Sequence, residues 1–153
     1  MAQRSLIFEG DETLRKGAKP VEKIDRHIID LLEDMAETMY MSNGIGIAAP
    51  QVGVLRRIFV IDMHDDSGLI EFINPRIENA QGSQIGIEAC LSCPGMSGEV
   101  ERPAELDIEA TDRNGEIFRI HATEYFAVCI SHEYDHLDGI LFLDKVKGEL
   151  IRS

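Results

Sequence analysis

The segment His132-Glu133-Tyr134-Asp135-His136 constrains this chain more than any other stretch. On an α-helix, residues i and i+4 lie one above the other on one face, so both imidazoles can reach a single metal ion. Glu133, one step round the helix, can then lean over an open coordination position. A metal ion acidifies a bound water and a neighbouring carboxylate can shuttle its proton, which is the logic of the H-E-x-x-H pattern. The competing reading is an ordinary amphipathic helix that happens to carry two histidines. A tetrahedral site needs a third protein ligand, and the rest of the chain has to supply it.

Composition narrows the setting. A chain of 153 residues suits one domain, 1–153, and buries roughly 68–70% of its unfolded surface without staples. A net charge of −13 argues against broad binding of nucleic acid or anionic membranes. No apolar run is long enough to span a bilayer, and the N-terminal stretch Met1–Glu9 lacks the apolar core of a signal peptide, so the cytoplasm is the expected location. The cysteines are Cys90, Cys93 and Cys129, and an odd number in a reducing compartment points to ligands or core thiols.

Taken in order, Asp11–Lys16 suits one or two helical turns, and Asp25 can cap a helix running to about Met41. Ile28, Leu32, Met35 and Met39 follow the 3.6-residue period, and Asp30, Glu33, Asp34 and Glu37 supply a solvated face. Gly44–Gln51 is a tight turn of small residues ending on an amide donor. Strands are expected at Arg57–Ile61 and Leu69–Ile73, with a strand or irregular edge over 76–87. Leu106–Thr111 and Glu116–Ile120 form a hairpin through a type I′ turn at Asn114-Gly115. A helix from about Thr123 carries the histidines and is capped by Gly139, and a polar tail follows the apolar Ile140–Leu143.

The third ligand is sought in Glu88-Ala89-Cys90-Leu91-Ser92-Cys93-Pro94-Gly95. Either cysteine could complete a His/His/Cys site. Both together with His132 and His136 would make a closed Cys₂His₂ structural site, but the intervening positions 94–131 far exceed the roughly 12–15 residues of finger modules. A redox C-x-x-C usually opens a helix, which Pro94-Gly95 disfavours.

Three motifs in order, Gly44-Ile45-Gly46-Ile47-Ala48-Ala49-Pro50-Gln51, Glu88-Ala89-Cys90-Leu91-Ser92 and His132-Glu133-Tyr134-Asp135-His136, resemble those of the peptide deformylases. The spacers Ile73-Asn74-Pro75, Val100-Glu101-Arg102-Pro103 and His136-Leu137-Asp138-Gly139 resemble the family too, so the likeness covers nearly the whole chain. It implies an α+β fold of mixed, mostly antiparallel sheets packed around a central helix bearing the metal motif. It implies Cys90, His132 and His136 as ligands of one divalent metal ion per chain, naturally Fe(II), with Zn(II) or Ni(II) able to occupy the site. Glu133 would be general base and then acid, with Gln51 and the backbone N–H of Leu91 stabilising the oxyanion. Gly46 would offer backbone hydrogen bonds, and Ile45, Tyr125, Val128 and Cys129 would line the methionine pocket.

The implied activity is removal of the N-formyl group from nascent formyl-methionyl polypeptides by a monomer, with transient ribosome contact as a further expected partner. Two departures stand out. Ala89 replaces the usual glycine of the second motif, and the chain ends soon after Leu143, where many members continue into a longer C-terminal helix. Glu88 and Arg102 are a candidate buried pair, and Asp135 a candidate ion-pair partner facing away from the metal. The alternatives are the closed Cys₂His₂ module and a zincin-like peptidase, whose third ligand would lie downstream of His136.

Overall fold

The first helix, α1 (Arg26–Met41), starts where its cap is written: Asp25 is extended and its carboxylate accepts a hydrogen bond from the Ile28 N–H at 3.2 Å. In the computed structural model, residues 2–153 are described; Met1, with which the expected domain begins, lies outside the described residues. The helix buries Ile28, Leu32, Met35 and Met39 as the helical period requires. Asp34, expected on the solvated face, is buried instead, because its carboxylate accepts from the Ala2 N–H at 2.7 Å and from Arg4 Nε at 3.0 Å. The N-terminal segment is thereby fastened to α1. Asp11 caps a short 3₁₀ turn, Glu12–Arg15.

Among the described residues the strands are β1 (Gly46–Ala48), β2 (Ile58–Asp62), β3 (Leu69–Gln81), β4 (Gln84–Cys90), β5 (Cys93–Arg102), β6 (Glu105–Thr111), β7 (Ile117–Thr123) and β8 (Val146–Arg152). They form a five-stranded sheet in the order β1-β2-β3-β6-β7 and a three-stranded sheet in the order β4-β5-β8. The expectation of mixed sheets is corrected: every strand pairing is antiparallel, and the parallel contact is an isolated bridge between Lys19 and Arg56. The tight turn expected at Gly44–Gln51 contains β1 and a 3₁₀ turn, Ala49–Val52.

Three further expectations change. Leu69–Ile73 does not end at Asn74-Pro75 but continues as β3 through a bulge between Ile73 and Arg76. Asn74 takes φ 51° there, and its side chain bonds both the N–H and the C=O of Val21, at 2.8 and 2.9 Å. Pro75, with no N–H to give a ladder, is tolerated at such a bulge. The hairpin turn is closed by Gly115 N–H to Asp112 C=O at 3.0 Å, with Gly115 left-handed and Asn114 not, so it is not type I′. The Asp112 carboxylate caps it by accepting from Asn114 and Glu116 N–H, at 2.9 and 3.0 Å. The polar tail is β8, whose Val146 and Leu150 pack on a small core with Leu14, Cys93, Val100, Leu141 and Phe142.

The second helix, α2 (Glu124–Leu137), follows Thr123 as expected. Ala127, Ile130 and Leu137 pack against Phe59, Phe72, Leu106 and Ile108 of the five-stranded sheet. His132 and His136 face the end of β4, where the Cys90 thiol approaches His136. α2 stops through two hydrogen bonds, Gly139 N–H to His136 C=O and Ile140 N–H to Asp135 C=O. Gly139 has φ 74°, and a Cβ there would come within 2.7 Å of the Arg15 carbonyl carbon. Both backbone strain and close packing therefore demand glycine. Gly139→Ala should cost about 2 kcal/mol, read as a lowered urea midpoint; an unchanged midpoint would contradict this packing.

Candidate metal centre and active site

Helix α2 buries His132, Glu133 and His136, and β4 delivers Cys90 to the same place. The ligand-type atoms of Cys90, His132 and His136 all lie within 4.8 Å of one another, and Cys90 Sγ is 3.4 Å from His136 Nε2. A tetrahedral ion with bonds of about 2.0–2.3 Å separates its donors by about 3.3–3.7 Å. The three donors therefore suit one cation with little movement. Cys93 is outside this group among the described residues; it opens β5 and its side chain is 1% exposed in the small core. Of the acids downstream of His136, Asp138, Asp144 and Glu149 are all outside the group, and Glu149 belongs to β8.

Arg102, at the end of β5, ties the site together. Its Nε and Nη2 donate to the two oxygens of Glu88 at 2.8 and 2.9 Å, and its Nη1 donates to Asp135 at 2.7 Å. Glu88 Oε1 also lies 2.9 Å from His132 Nδ1, so this ring donates from Nδ1 and keeps Nε2 for a metal. Lys145 adds a second cation to Asp135 at 3.0 Å. Burial pushes the Glu88 carboxyl up, but hydrogen bonds from Arg102 and His132 outweigh it and hold the group at about 2. His136 is held well below the ordinary imidazole value by burial, then by the charges of His132 and Arg102, so it is the neutral ring that coordination needs.

Glu133 sits beside these groups with its carboxyl raised to about 7, chiefly by burial, and its Oε1 is buried with no hydrogen-bond partner. That is an acid-base group poised near neutrality. A Cβ on Gly46 would lie 2.8 Å from Glu133 Oε2, so β1 can pass this close only as glycine. Gln51 is equally fixed. Its Oε1 accepts from the Ala48 N–H at 2.9 Å, which turns its Nε2 towards Ser92 Oγ at 3.1 Å and Cys90 Sγ at 3.5 Å.

Ile45, Gly46, Gln51, Cys90, Leu91, Tyr125, Val128, Cys129, His132 and Glu133 line one cavity of about 300 Å³. His136 lies beneath it, 1% exposed, and Tyr125 stands at the rim, 52% exposed. A larger open groove of about 870 Å³, by Lys19, Lys23 and Arg56, contains none of these residues. Ala89 is exposed within β4 and its φ is not positive, so alanine is unstrained where the family motif has glycine. Sequence reasoning gave Ser92 no role, and it missed the contact of Glu88 with His132. A metal-bound histidine calls for such a carboxylate; Glu88 was already a candidate buried partner of Arg102, but nothing in its spacing from His132 linked the two.

Comparison with known proteins places this architecture. The polypeptide deformylase family model matches residues 4–150. The chain belongs to the peptide deformylase family. The peptide deformylase of Acetivibrio thermocellus is 57% identical over 146 residues, covering 95% of this chain and 85% of that one. The peptide deformylase of Caldicellulosiruptor bescii is 53% identical, covering 95% and 87%. The crystal structure of peptide deformylase from Thermotoga maritima superposes with a TM-score of 0.93 at 36% identity, covering 97% of this chain and all of that one. As a peptide deformylase, the chain is a hydrolase that removes the N-formyl group of nascent proteins. Among the described residues no helix is long and apolar enough to cross a membrane.

Glu88 also sets an acid limit. Its folded value is depressed, so its stabilisation is present above the ordinary carboxylate range and is lost as pH falls from about 4.5 through about 2. The loss should be on the order of 2 kcal/mol after allowing for residual solvent. In metal-free protein, urea midpoints of Glu88→Gln should fall less between those pH values than those of wild type; parallel curves would contradict the assignment.

Proposed function

We propose that residues 1–153 act as one catalytic domain whose helix-borne histidines, with Cys90, hold a single divalent cation. The observation that carries this is the unpartnered, buried Glu133 oxygen beside three converging donors, of which Cys90 and His132 line one cavity. The Cys90 thiolate, His132 Nε2 and His136 would be the ligands. A soft thiolate with two imidazoles suits Fe(II), our proposed natural metal, and accepts Zn(II) or Ni(II). Bound there, the ion would polarise the formyl carbonyl and bring a water's pKa towards about 7.

The protein groups divide the remaining work. Glu133, with a carboxyl near 7, takes the proton of the attacking water and returns it to the amine nitrogen as the C–N bond breaks. Gln51 Nε2 and the Leu91 N–H donate to the carbonyl oxygen as it gains charge. Gly46 lends backbone hydrogen bonds to the peptide, and Ile45, Tyr125, Val128 and Cys129 receive the methionine side chain. The substrates are nascent formyl-methionyl chains, met in the cytoplasm by a monomer with transient ribosome contact and no specific nucleic-acid or membrane partner.

Formate release from a formyl-Met peptide tests these roles. Glu133→Ala should stay folded, keep one metal per chain and lose turnover. Gln51→Ala should lose about 2.7–4 kcal/mol of barrier stabilisation, roughly a hundred- to thousand-fold in rate, with metal content intact. Retention of most activity in Gln51→Ala would remove that residue from the mechanism.

A further inference from the structure

Cys93 is left without a role by the proposed chemistry, yet the fold sets it directly opposite Cys90. The two are register partners across the two-residue turn Leu91-Ser92 that joins β4 to β5. Their side chains meet: Cys90 packs on the small core of which Cys93 is a buried member. The ladder register breaks between Ala89 and Cys90, so the two cysteines are the ends of the four-residue turn Cys90–Cys93. The ends of a β-turn have Cα atoms less than about 7 Å apart, overlapping the range of about 4.4–6.8 Å that a disulfide spans. The two thiols also differ in access. Cys90 lines the solvent-connected cavity, whereas Cys93 is 1% exposed and lies behind it. Cys129, also on the cavity wall, is set on α2 and is not among the donors gathered around Cys90.

We propose that Cys93 is a resolving thiol for Cys90, making this pair a reversible oxidation site for hydroperoxides that enter the cavity. The Cys90 thiolate sulfur attacks the peroxide O–O bond. An S–O bond forms, the O–O bond breaks and hydroxide leaves, giving a sulfenic acid on Cys90. The Cys93 sulfur, giving up its proton, then displaces the sulfenic oxygen as water and closes the disulfide. One thiolate and one thiol are oxidised to one disulfide, and one hydrogen peroxide is reduced to a water and a hydroxide, which takes a proton from solvent to become the second water. Without a partner thiol at that distance, Cys90 would continue to sulfinic and sulfonic acids, which thiols do not reverse. The disulfide withdraws the Cys90 sulfur from coordination and releases the cation, a consequence that rests on the ligand role given to Cys90 above.

The test uses the full chain loaded with Zn(II) and treated with hydrogen peroxide, beside Cys93→Ala and Cys93→Ser as alternative replacements in that core. Peptide mass spectrometry after alkylation reads the sulfur chemistry, and a chromogenic chelator reads released zinc. In wild type the Cys90–Cys93 peptide should lose two hydrogens, and zinc release should be reversed by dithiothreitol. In both variants Cys90 should gain two or three oxygens, and dithiothreitol should not restore zinc binding. Added oxygen on wild-type Cys90, a Cys90–Cys129 link, or equal reversibility in the variants would overturn the proposal. A Cys90–Cys93 disulfide formed with zinc retained would uphold the thiol pairing and remove Cys90 from the ligand set.

Discussion

The arginine at the end of β5 is the interaction on which the site depends. Arg102 reaches Glu88 on β4 and Asp135 on α2 with three hydrogen bonds, and Glu88 passes the constraint to His132. One buried cation thus fixes the strand that carries Cys90 relative to the helix that carries both histidines. Removing one partner of such a buried network typically costs about 3–5 kcal/mol, because the remaining charges are left uncompensated. Here the cost would fall where donor spacing has to be kept to tenths of an ångström. Lys145 extends the network to the segment leading into β8, so the C-terminal strand is coupled to the same carboxylate.

The opposite wall is shaped by what is missing from side chains. Gly46 lets β1 pass against Glu133, and a Cβ on Gly44 would lie 2.8 Å from Leu91 Cδ1. Gln51 is aimed by a backbone N–H that can only donate, so its amide presents its N–H groups to the cavity side. Burial then sets the chemistry. The same desolvation that lowers His136 raises Glu133, giving a neutral imidazole and a carboxyl near 7 within one turn of helix.

Much of this was legible in the chain. The H-E-x-x-H spacing put two imidazoles and a carboxylate on one helix, and the cap at Asp25 and the apolar period of α1 read directly as structure. The residues of the Glu88–Gly95 stretch left Cys90 and Cys93 both open as third donor, and the family resemblance pointed to Cys90. The packing agrees in giving Cys93 to the core of Leu14, Val100 and Phe142. Other features depend on distant residues. Asn74-Pro75 reads locally as a stop, and β3 passes through it because Val21, far away in sequence, accepts and donates to the Asn74 side chain. β8 is mostly exposed, so its strand character comes from the edge of β5 and not from its own pattern. Asp34 looks like a surface acid until Arg4 is brought to it, whereas the Glu88–Arg102 pair was already a candidate in the sequence.

The central claim is that one thiolate and two imidazoles, and not two thiolates, hold the metal. X-ray absorption at the zinc edge of the zinc-loaded chain tests it most directly. One sulfur at about 2.3 Å and two imidazole nitrogens at about 2.0–2.1 Å, with a light-atom fourth neighbour, is the result the structure predicts. Two sulfurs would place Cys93 in the coordination shell, make the site a closed structural one and contradict the account.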